Sequence, residues 1–432
     1  MEDQILRCLL TCLCQEALIE ESESNPPAFF FTRAPKGKTI EQEATTIFLN
    51  KQGYLLLQEI IAQLRQNKKW VVELSKEELE QEVVTALFEG TQALQEGNFD
   101  VTELIKSLLQ RLGKGVATWE VYLPIADLEL PEGSQLTLGG GIFKELTSRE
   151  KDIMRDELVG IRRQANWETP EKMESEMKFL AQRLEETITS SKFWYYIQVN
   201  GRAQAAKNQA IEAAMLAMDI LRFFALFNRI NPEVFAPRFP SQTGRGVMRY
   251  IQIVKGQCSK IGSESGVTFP YSLDALSFDK LIKHAKFQKL QQISNKSDPS
   301  QLEQKFLLGV QQYAEATRLP SASLRLVWYL SALETVLAKE TEKERHKRHE
   351  KVGKRLRKLL GDTAADMVGP LYDKRRKPVH YGHRNRIGDE LITDAESQYA
   401  KALAYLGIVS ALSKLDNHMD HDVFLDYLDA LH

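Results

Sequence analysis

The chain has 432 residues, which is more than one ordinary hydrophobic core supports, so we expect two or three domains. Hydrophobic residues make up 43% of it and charged residues 27%, which excludes an intrinsically disordered protein. The net charge of −2 excludes a surface coated in positive charge, although it allows a local basic patch. No apolar run reaches the roughly 18 residues of a membrane span, and the first residues lack the features of a secretion signal. We therefore expect a cytoplasmic protein without membrane contact.

Residues 1–115 are predicted to be mostly helical. Ile5 to Ile19 reads as a first amphipathic helix, and apolar residues recur at helical spacing in Ala44 to Leu64 and in Leu104 to Leu112. Gly113 then marks the end of this first predicted domain.

Three of the four cysteines crowd the first predicted helix at Cys8, Cys12 and Cys14, and the fourth is Cys258. A cysteine metal site is one interpretation, but the spacing matches no zinc pattern. We expect buried free thiols instead.

Residues 116–299 are predicted to form an α+β domain with a few short strands. Trp119 to Ile125 alternates in hydrophobicity as a strand does, and Pro124 indicates either a sheet edge or a strand end. A second short strand, Leu136 to Leu138, precedes three consecutive glycines. These glycines lack the lysine and serine or threonine of a phosphate-binding loop, so we interpret them as a turn.

Three further segments complete this middle domain. Arg149 to Glu186 is predicted to be helical, Phe193 to Val199 is an aromatic strand candidate, and Ala203 to Phe227 reads as a long buried helix. Residues 285–300 are polar and turn-prone, and we place the boundary to a third domain at their end.

Residues 300–432 are predicted to form a C-terminal bundle of four or five helices, which makes the fold mainly α. The helix that begins near Ser321 is apolar almost all round except at Glu334. Since an ionised carboxylate is costly to bury alone, we expect a cationic partner for it. Thr393 to Glu396 matches a capping box and predicts the start of the last long helix.

The next predicted helix is strongly basic. Between Lys343 and Lys358 there are nine Lys or Arg against two Glu, and a narrow apolar stripe runs along it. One interpretation is a solvated helix face. The other is a ridge that follows the phosphates of a nucleic acid, with Lys354 and Arg355 as candidate contacts.

A short segment that begins at Pro370 carries Arg375 and His380. On a continuous helix, residues five apart point about 140° away from each other. Pro378 disfavours helical geometry at Lys377, so we expect the helix to end there and His380 to fold back toward Arg375.

These features together resemble the HEPN superfamily, and most closely its ApeA-like branch of bacterial phage-defence and toxin ribonucleases. The resemblance covers residues 300–420. It rests on the sequence Ser-Ala-Leu-Glu, which ends at Glu334, on a buried helix, then a basic helix, then Tyr-x-x-Arg-x-x-x-x-His-x-Gly formed by Tyr372, Arg375, His380 and Gly382. The chain departs from the family pattern at Pro378 and at Tyr381.

The resemblance implies a metal-independent endoribonuclease without cofactors that works as a homodimer, with the 2′-hydroxyl attacking to leave 2′,3′-cyclic phosphate ends. His380 would transfer a proton, Arg375 would stabilise charge on the phosphorus, and Glu334 would position one of them. Further RNA contacts are expected from Arg376, Lys377, Tyr381 and His383. A protein or phage-derived trigger would act through the first 300 residues.

Other interpretations of these residues stay open. His380 can be a core histidine, and Arg375 can pair with Glu334 only to hold the helices together. The module can also be a catalytically silent one that binds RNA, a nucleotide or a protein. His418 and His421 are spaced for a weak metal site, although we interpret their acidic surroundings as an exposed tail.

Overall fold

The computed structural model describes most of the chain, and the structural statements below concern only that part. The described residues are 2–17, 29–33, 45–49, 51–66, 73–164, 170–230, 232, 237, 239, 247–254, 257–265, 271–319, 321–339, 345–381, 392–416 and 419–431. The fold is mainly helical and contains a small antiparallel sheet. None of the described helices combines the length and the apolar character needed to cross a membrane.

The chain divides into two compact units. The first comprises residues 1–120, 198–209 and 254–256, and the second comprises residues 121–197, 210–253 and 257–432. The longest segment of the first unit ends at residue 120, whereas the predicted first domain ends at residue 115. The predicted boundary at residue 299 has no counterpart, because both sides of it belong to the second unit.

The first unit consists of helices around one core with a two-stranded antiparallel sheet. Its elements are α1 (Glu2–Glu16), β1 (Phe29–Arg33), β2 (Thr45–Leu49), α2 (Lys51–Gln66), α3 (Lys76–Gln95) and α4 (Val101–Gly113). The helix predicted from Ala44 is wrong over its first turn, where β2 pairs with β1 instead. The β-branched residues Thr45, Thr46 and Ile47 explain this, since such side chains favour strands.

The cysteines of α1 differ in exposure. Cys14 is buried, and burial raises the pKa of its thiol to about 12, whereas Cys8 is exposed. The prediction of buried thiols is therefore correct for Cys14 and wrong for Cys8. Within the described residues, no group of three metal-binding side chains occurs.

A six-stranded sheet has its strands mainly in the second unit. The strands are β3 (Ala117–Ile125), β5 (Leu136–Leu138), β6 (Gly141–Glu145), β7 (Phe193–Gly201), β8 (Val247–Val254) and β9 (Gln257–Ser265), in the order β5-β6-β7-β3-β8-β9, and β4 (Leu128–Glu129) pairs in parallel with β10 (Tyr271–Ser272). Pro124 is the penultimate residue of β3, which is an inner strand. The expectation of a strand end is thus confirmed and that of a sheet edge is wrong.

The three glycines between β5 and β6 form a turn, as predicted. Gly139 and Gly140 have φ angles of +62° and +81°, in the left-handed region that favours glycine. A Cβ atom on Gly139 would lie 2.6 Å from the backbone oxygen of Ala213. The two glycine amides donate hydrogen bonds to Ser294 and Asn295, so they are already engaged within the fold.

In the described part of the chain, five helices with residues in the second unit precede residue 300: α5 (Ser148–Gln164), α6 (Pro170–Thr189), α7 (Ala203–Phe223), α8 (Ala275–Lys283) and α9 (Ala285–Ser294). The first seven residues of α7 belong to the first unit. The segment predicted to separate two domains therefore contains α9. Its polar residues serve as helix ends, since Ser300 and Glu303 form the capping box of the next helix. That use of polar residues explains why the sequence looks like a linker.

Seven helices follow residue 300. They are α10 (Gln301–Arg318), α11 (Ala322–Leu337), α12 (Arg345–Leu360), the short α13 (Asp362–Asp366), α14 (Val368–Tyr381), α15 (Asp394–Lys414) and α16 (His421–Ala430). The capping box at Thr393 begins α15 as expected. Helix α10 has a fully buried apolar stripe of Leu302, Phe306, Val310, Tyr313 and Ala314. Trp328 on α11 is 37% exposed, so that helix is less enclosed than its sequence suggests.

The segment expected to be an exposed acidic tail contains α16, which packs on the other helices. Phe424, Leu425 and Leu428 recur at helical spacing and are fully buried. The ring nitrogen Nε2 of His421 lies 3.1 Å from the carbonyl oxygen of Val336. His421 is therefore a buried structural histidine, while His418 lies outside the described residues.

Candidate functional site

Three helices of the second unit place the predicted catalytic residues. Helix α14 carries Arg375 and packs against α11, which carries Glu334, and both helices contact the basic helix α12. Close packing is possible because Gly407 of α15 has no side chain: a Cβ atom there would lie 2.7 Å from Leu333 and 2.8 Å from Leu356. The three helices can thus bring polar side chains together at their junction.

Glu334 and Arg375 form the ion pair that the sequence predicts. The guanidinium nitrogen Nη1 of Arg375 donates to Oε1 of Glu334 at 2.6 Å, and Nη2 lies 3.4 Å from the hydroxyl oxygen of Ser331. The side chains of Arg375 and Glu334 are 23% and 16% exposed. Ser331 and Glu334 are three residues apart on one helix face, so together they fix the plane of the guanidinium.

Tyr372 lies one helical turn before Arg375 and is buried beside the ion pair. The Arg375 guanidinium carbon is 5.6 Å from the centre of the tyrosine ring. Burial, and next the negative charge of Glu334, raise the pKa of the Tyr372 hydroxyl well above its usual value. The phenol therefore stays neutral and acts as a packing platform for the cation.

His349 of α12 contacts the same tyrosine, and sequence reasoning missed it. The two ring centres are 5.7 Å apart, and the interplanar angle is 33°. Its neighbour Arg348 is close enough for its positive charge to act on the Tyr372 hydroxyl. A signal was present in the sequence: His349 lies three residues before the buried Val352 and seven before the buried Leu356, which places it on the inward stripe.

The predicted helix end between Arg375 and His380 is wrong, because α14 continues through Pro378 to Tyr381. Pro378 lacks the amide that would bond to the carbonyl of Lys374, yet the helical path persists beyond it. Positions 375 and 380 therefore lie about 140° apart around one helix axis. The helix is therefore continuous between these two positions, and no break in it brings them into one site.

Several predicted site residues lie where no side chain is described. These are His380 and the candidate RNA contacts Arg376, Lys377 and Tyr381, whose backbone belongs to α14. His383 and Gly382 lie outside the described residues altogether. Their roles stay predictions from the sequence.

Arg355 does not belong to an RNA-binding ridge, which corrects the prediction. Its side chain is fully buried, donates two hydrogen bonds to the carboxylate of Asp429 at 2.9 and 2.8 Å, and donates a third to the carbonyl of Leu337 at 2.6 Å. Arg357 pairs with Asp362 and Asp366. Two arginines of α12 are therefore already paired, Arg355 inside the fold and Arg357 at the surface.

Lys354 keeps the exposure that an RNA contact requires. It lines a surface pocket of about 350 Å³ together with His349, Gly353, Val368 and Gly369. Arg357 and the acids Glu350 and Asp366 also face this pocket. The pocket therefore joins two exposed cations of α12, Lys354 and Arg357, to the histidine beside the Glu334–Arg375 pair.

Comparison with known proteins finds no relative: no protein family, no curated protein and no solved structure matches the chain significantly.

Proposed function

We propose that the helices after residue 300 form a HEPN-like module that cleaves RNA without a metal ion, as part of an antiphage defence or a toxin. The observation that carries the proposal is the ion pair between Arg375 and Glu334. It fixes a guanidinium that still has solvent access, on the helix whose sequence resembles the catalytic segment of that superfamily. The order of the elements, with Glu334 first, then a basic helix, then Arg375 and His380, agrees with the resemblance.

The proposed reaction is an internal transesterification. The ribose 2′-oxygen forms a bond to phosphorus, its proton passes to a base, and the bond from phosphorus to the 5′-oxygen breaks as that oxygen takes up a proton. His380 is proposed as the base, since imidazole transfers protons near neutral pH. Arg375 offers paired donors to the phosphate oxygens, and a preorganised cation at developing charge is worth several kcal/mol.

Incubation of the purified full-length protein with RNA in excess EDTA tests the proposal. We expect undiminished cleavage and fragments with 2′,3′-cyclic phosphate and 5′-hydroxyl ends, because the proposed step uses only protein side chains. Cleavage that stops with EDTA and returns with Mg²⁺ would contradict the mechanism. RNA binding without any cleavage would favour a silent binding module instead.

A matched pair of variants ties the activity to the site. Arg375→Gln removes the guanidinium beside Glu334, whereas Arg155→Gln removes an exposed arginine of α5 that pairs with Glu185. We expect the first to reduce the cleavage rate by about 10²–10³-fold, the effect of losing one donor to developing charge, and the second to leave it unchanged. Equal rates for both variants would exclude Arg375 from the reaction.

A further inference from the structure

We infer that His349 is a second histidine of the Arg375 centre: it binds the scissile phosphate and protonates the departing 5′-oxygen. The inference rests on the proposed function. The proposed site lacks a second group that transfers a proton. The reaction needs both a base and an acid, whereas Arg375 and His380 together provide only one such group.

The contacts around Tyr372 place His349 beside Arg375. The histidine ring centre is 5.7 Å from the tyrosine ring centre, and the Arg375 guanidinium carbon is 5.6 Å from it. Both side chains therefore flank one rigid, buried ring. These two distances place the imidazole within about 11 Å of the guanidinium carbon, so one stretch of RNA whose phosphate Arg375 binds can also reach the imidazole.

Two buried nitrogen atoms on this stretch of α12 have no hydrogen-bond partner in the part of the chain that the structure describes: Nδ1 of His349 and Nε of Arg348. Buried polar atoms usually have partners, and an unpartnered one calls for an explanation. Phosphate oxygens are acceptors, and Arg348 and Arg375 carry two positive charges against one on Glu334. The local excess of positive charge and of donors suits an anion.

The pocket beside His349 has room for the ligand. Its volume of about 350 Å³ falls within the range of small-molecule sites, and Lys354 at its rim supplies a further cation. Gly353 and Gly369 let a ligand approach the backbone. Of the two acids in the pocket, Asp366 is paired with Arg357, which leaves Glu350 against the charge of Lys354.

In the proposed step, the imidazolium of His349 gives its proton to the 5′-oxygen as the bond from that oxygen to phosphorus breaks. The proton of the 2′-hydroxyl goes to the base, so charge and atoms balance. The neutral imidazole of His349 then regains a proton from water. Within one copy of the chain, His349 and Arg375 thus supply the acid and the cation.

The variant His349→Gln tests the acid role through two substrates. On RNA, whose 5′-oxygen needs a proton, we expect a loss of about 10²–10⁴-fold. On uridine 3′-(4-nitrophenyl phosphate), whose leaving group departs without protonation, we expect nearly the wild-type rate. Unchanged cleavage of RNA, or an equal loss on both substrates by a folded variant, would overturn the inference.

A second measurement needs neither activity nor a variant. Diethyl pyrocarbonate modifies accessible histidines, and peptide mass spectrometry locates each modification. We expect inorganic phosphate to slow the modification of His349 and not that of His284, which lies at the start of α9 and serves as the control.

The two measurements distinguish a failure of the proposed function from a failure of the inference about His349. If the wild type cleaves RNA and His349→Gln folds, the comparison of the two substrates tests the acid role. If the wild type does not cleave RNA, or the variant does not fold, the modification experiment tests whether His349 lies at an anion site. Protection without cleavage by the wild type would reject the proposed function and keep the anion site, whereas the absence of protection would overturn the inference.

Discussion

Arg375 and Arg355 illustrate how the surroundings of a guanidinium decide its role. Arg355 is enclosed, and the Asp429 carboxylate and a backbone carbonyl already take its donors. Arg375 is bound on one edge by Glu334 and Ser331 and remains partly exposed. The first can only hold helices together, whereas the second can still bind an anion.

The neighbouring residues Lys354 and Arg355 should therefore respond oppositely to alanine substitution. Arg355→Ala leaves a buried carbonyl and a carboxylate unpaired, and we expect a loss of about 2–4 kcal/mol in the free energy of unfolding. Lys354→Ala should change stability by less than about 0.5 kcal/mol and lower the salt dependence of RNA binding by about 0.7 in log–log slope.

Urea denaturation and fluorescence anisotropy at several salt concentrations measure the two effects. Weaker RNA binding by Arg355→Ala at unchanged stability would show that Arg355 contributes to RNA binding after all. A Lys354→Ala protein that binds RNA with the wild-type salt dependence would remove Lys354 from it.

For single residues, the sequence predicts the surroundings correctly where the free-energy cost of burying a charge determines them. A carboxylate on an apolar helix must be paired, and Arg375 is the cationic partner of Glu334 that this argument requires. His349 was missed because α12 was judged by its net charge. The same inward stripe that holds Val352 also contains His349 and Arg355, and only the packing of α12 shows what each of them contacts.

At the scale of helices, one carboxylate at the start of α15, that of Glu396, takes part in two interactions. Glu396 accepts a hydrogen bond from the backbone of Thr393 as part of the capping box, and it also pairs with Lys374, the residue before Arg375. The hydrogen bond with Lys374, and next that with Thr393, lower the pKa of Glu396. The first turn of α15 is thereby attached to α14.

The stability of this attachment should depend on pH. A carboxyl group whose pKa is lowered by folding adds stability above its unfolded value of 4.5, and that stability disappears as the pH falls through the lower, folded value. Glu396→Gln can keep the capping box but loses the ion pair. We expect it to be less stable than the wild type at pH 7 and equally stable near pH 2.

Thr393→Ala is the matched control, since it removes the cap and leaves the carboxylate. It should cost about 1 kcal/mol. Urea titrations of the three proteins at both pH values measure these differences. A difference between Glu396→Gln and the wild type that stays constant with pH would show that the ion pair contributes nothing.

Element boundaries were predicted less well than element types. The strand Thr45–Leu49 was hidden within an apolar stretch that also fits a helix, because short runs satisfy both periodicities. Pro378 was expected to end α14, yet proline disfavours a helix interior without forbidding it. In both cases tertiary packing outweighs a local preference.

At the scale of the whole molecule, the sequence placed the first boundary near residue 115 and missed that α9 joins the later helices. A linker and a polar helix end have the same composition, and only contacts such as those of Ser294 and Asn295 separate them. The helical character of the C-terminal part was predictable because its apolar stripes are long and regular.

The last prediction concerns assembly, since the resemblance to the HEPN superfamily implies a homodimer. We expect the active protein to sediment as a homodimer, with its C-terminal helices meeting around a two-fold axis. If Arg375 of one copy acts with His380 of the other, mixing the inactive variants Arg375→Gln and His380→Ala should restore activity.

Mixing Arg375→Gln with His349→Gln should restore nothing, because those two residues act within one copy. A fully active monomer, or rescue by the second mixture and not by the first, would contradict this arrangement. Sedimentation velocity and a rescue assay therefore test the oligomeric state and the sharing of residues separately.

The bond between Arg355 and Asp429 has a consequence for synthesis on the ribosome. The two residues are 74 positions apart in the chain, so at about 5–20 residues per second their synthesis is separated by roughly 4–15 seconds. During this interval α12 cannot pack on α11 without enclosing an unneutralised cation, which is costly. We therefore expect the junction of Glu334, His349 and Arg375 to be completed only after α16 has emerged, which would delay the proposed cleavage of RNA until then.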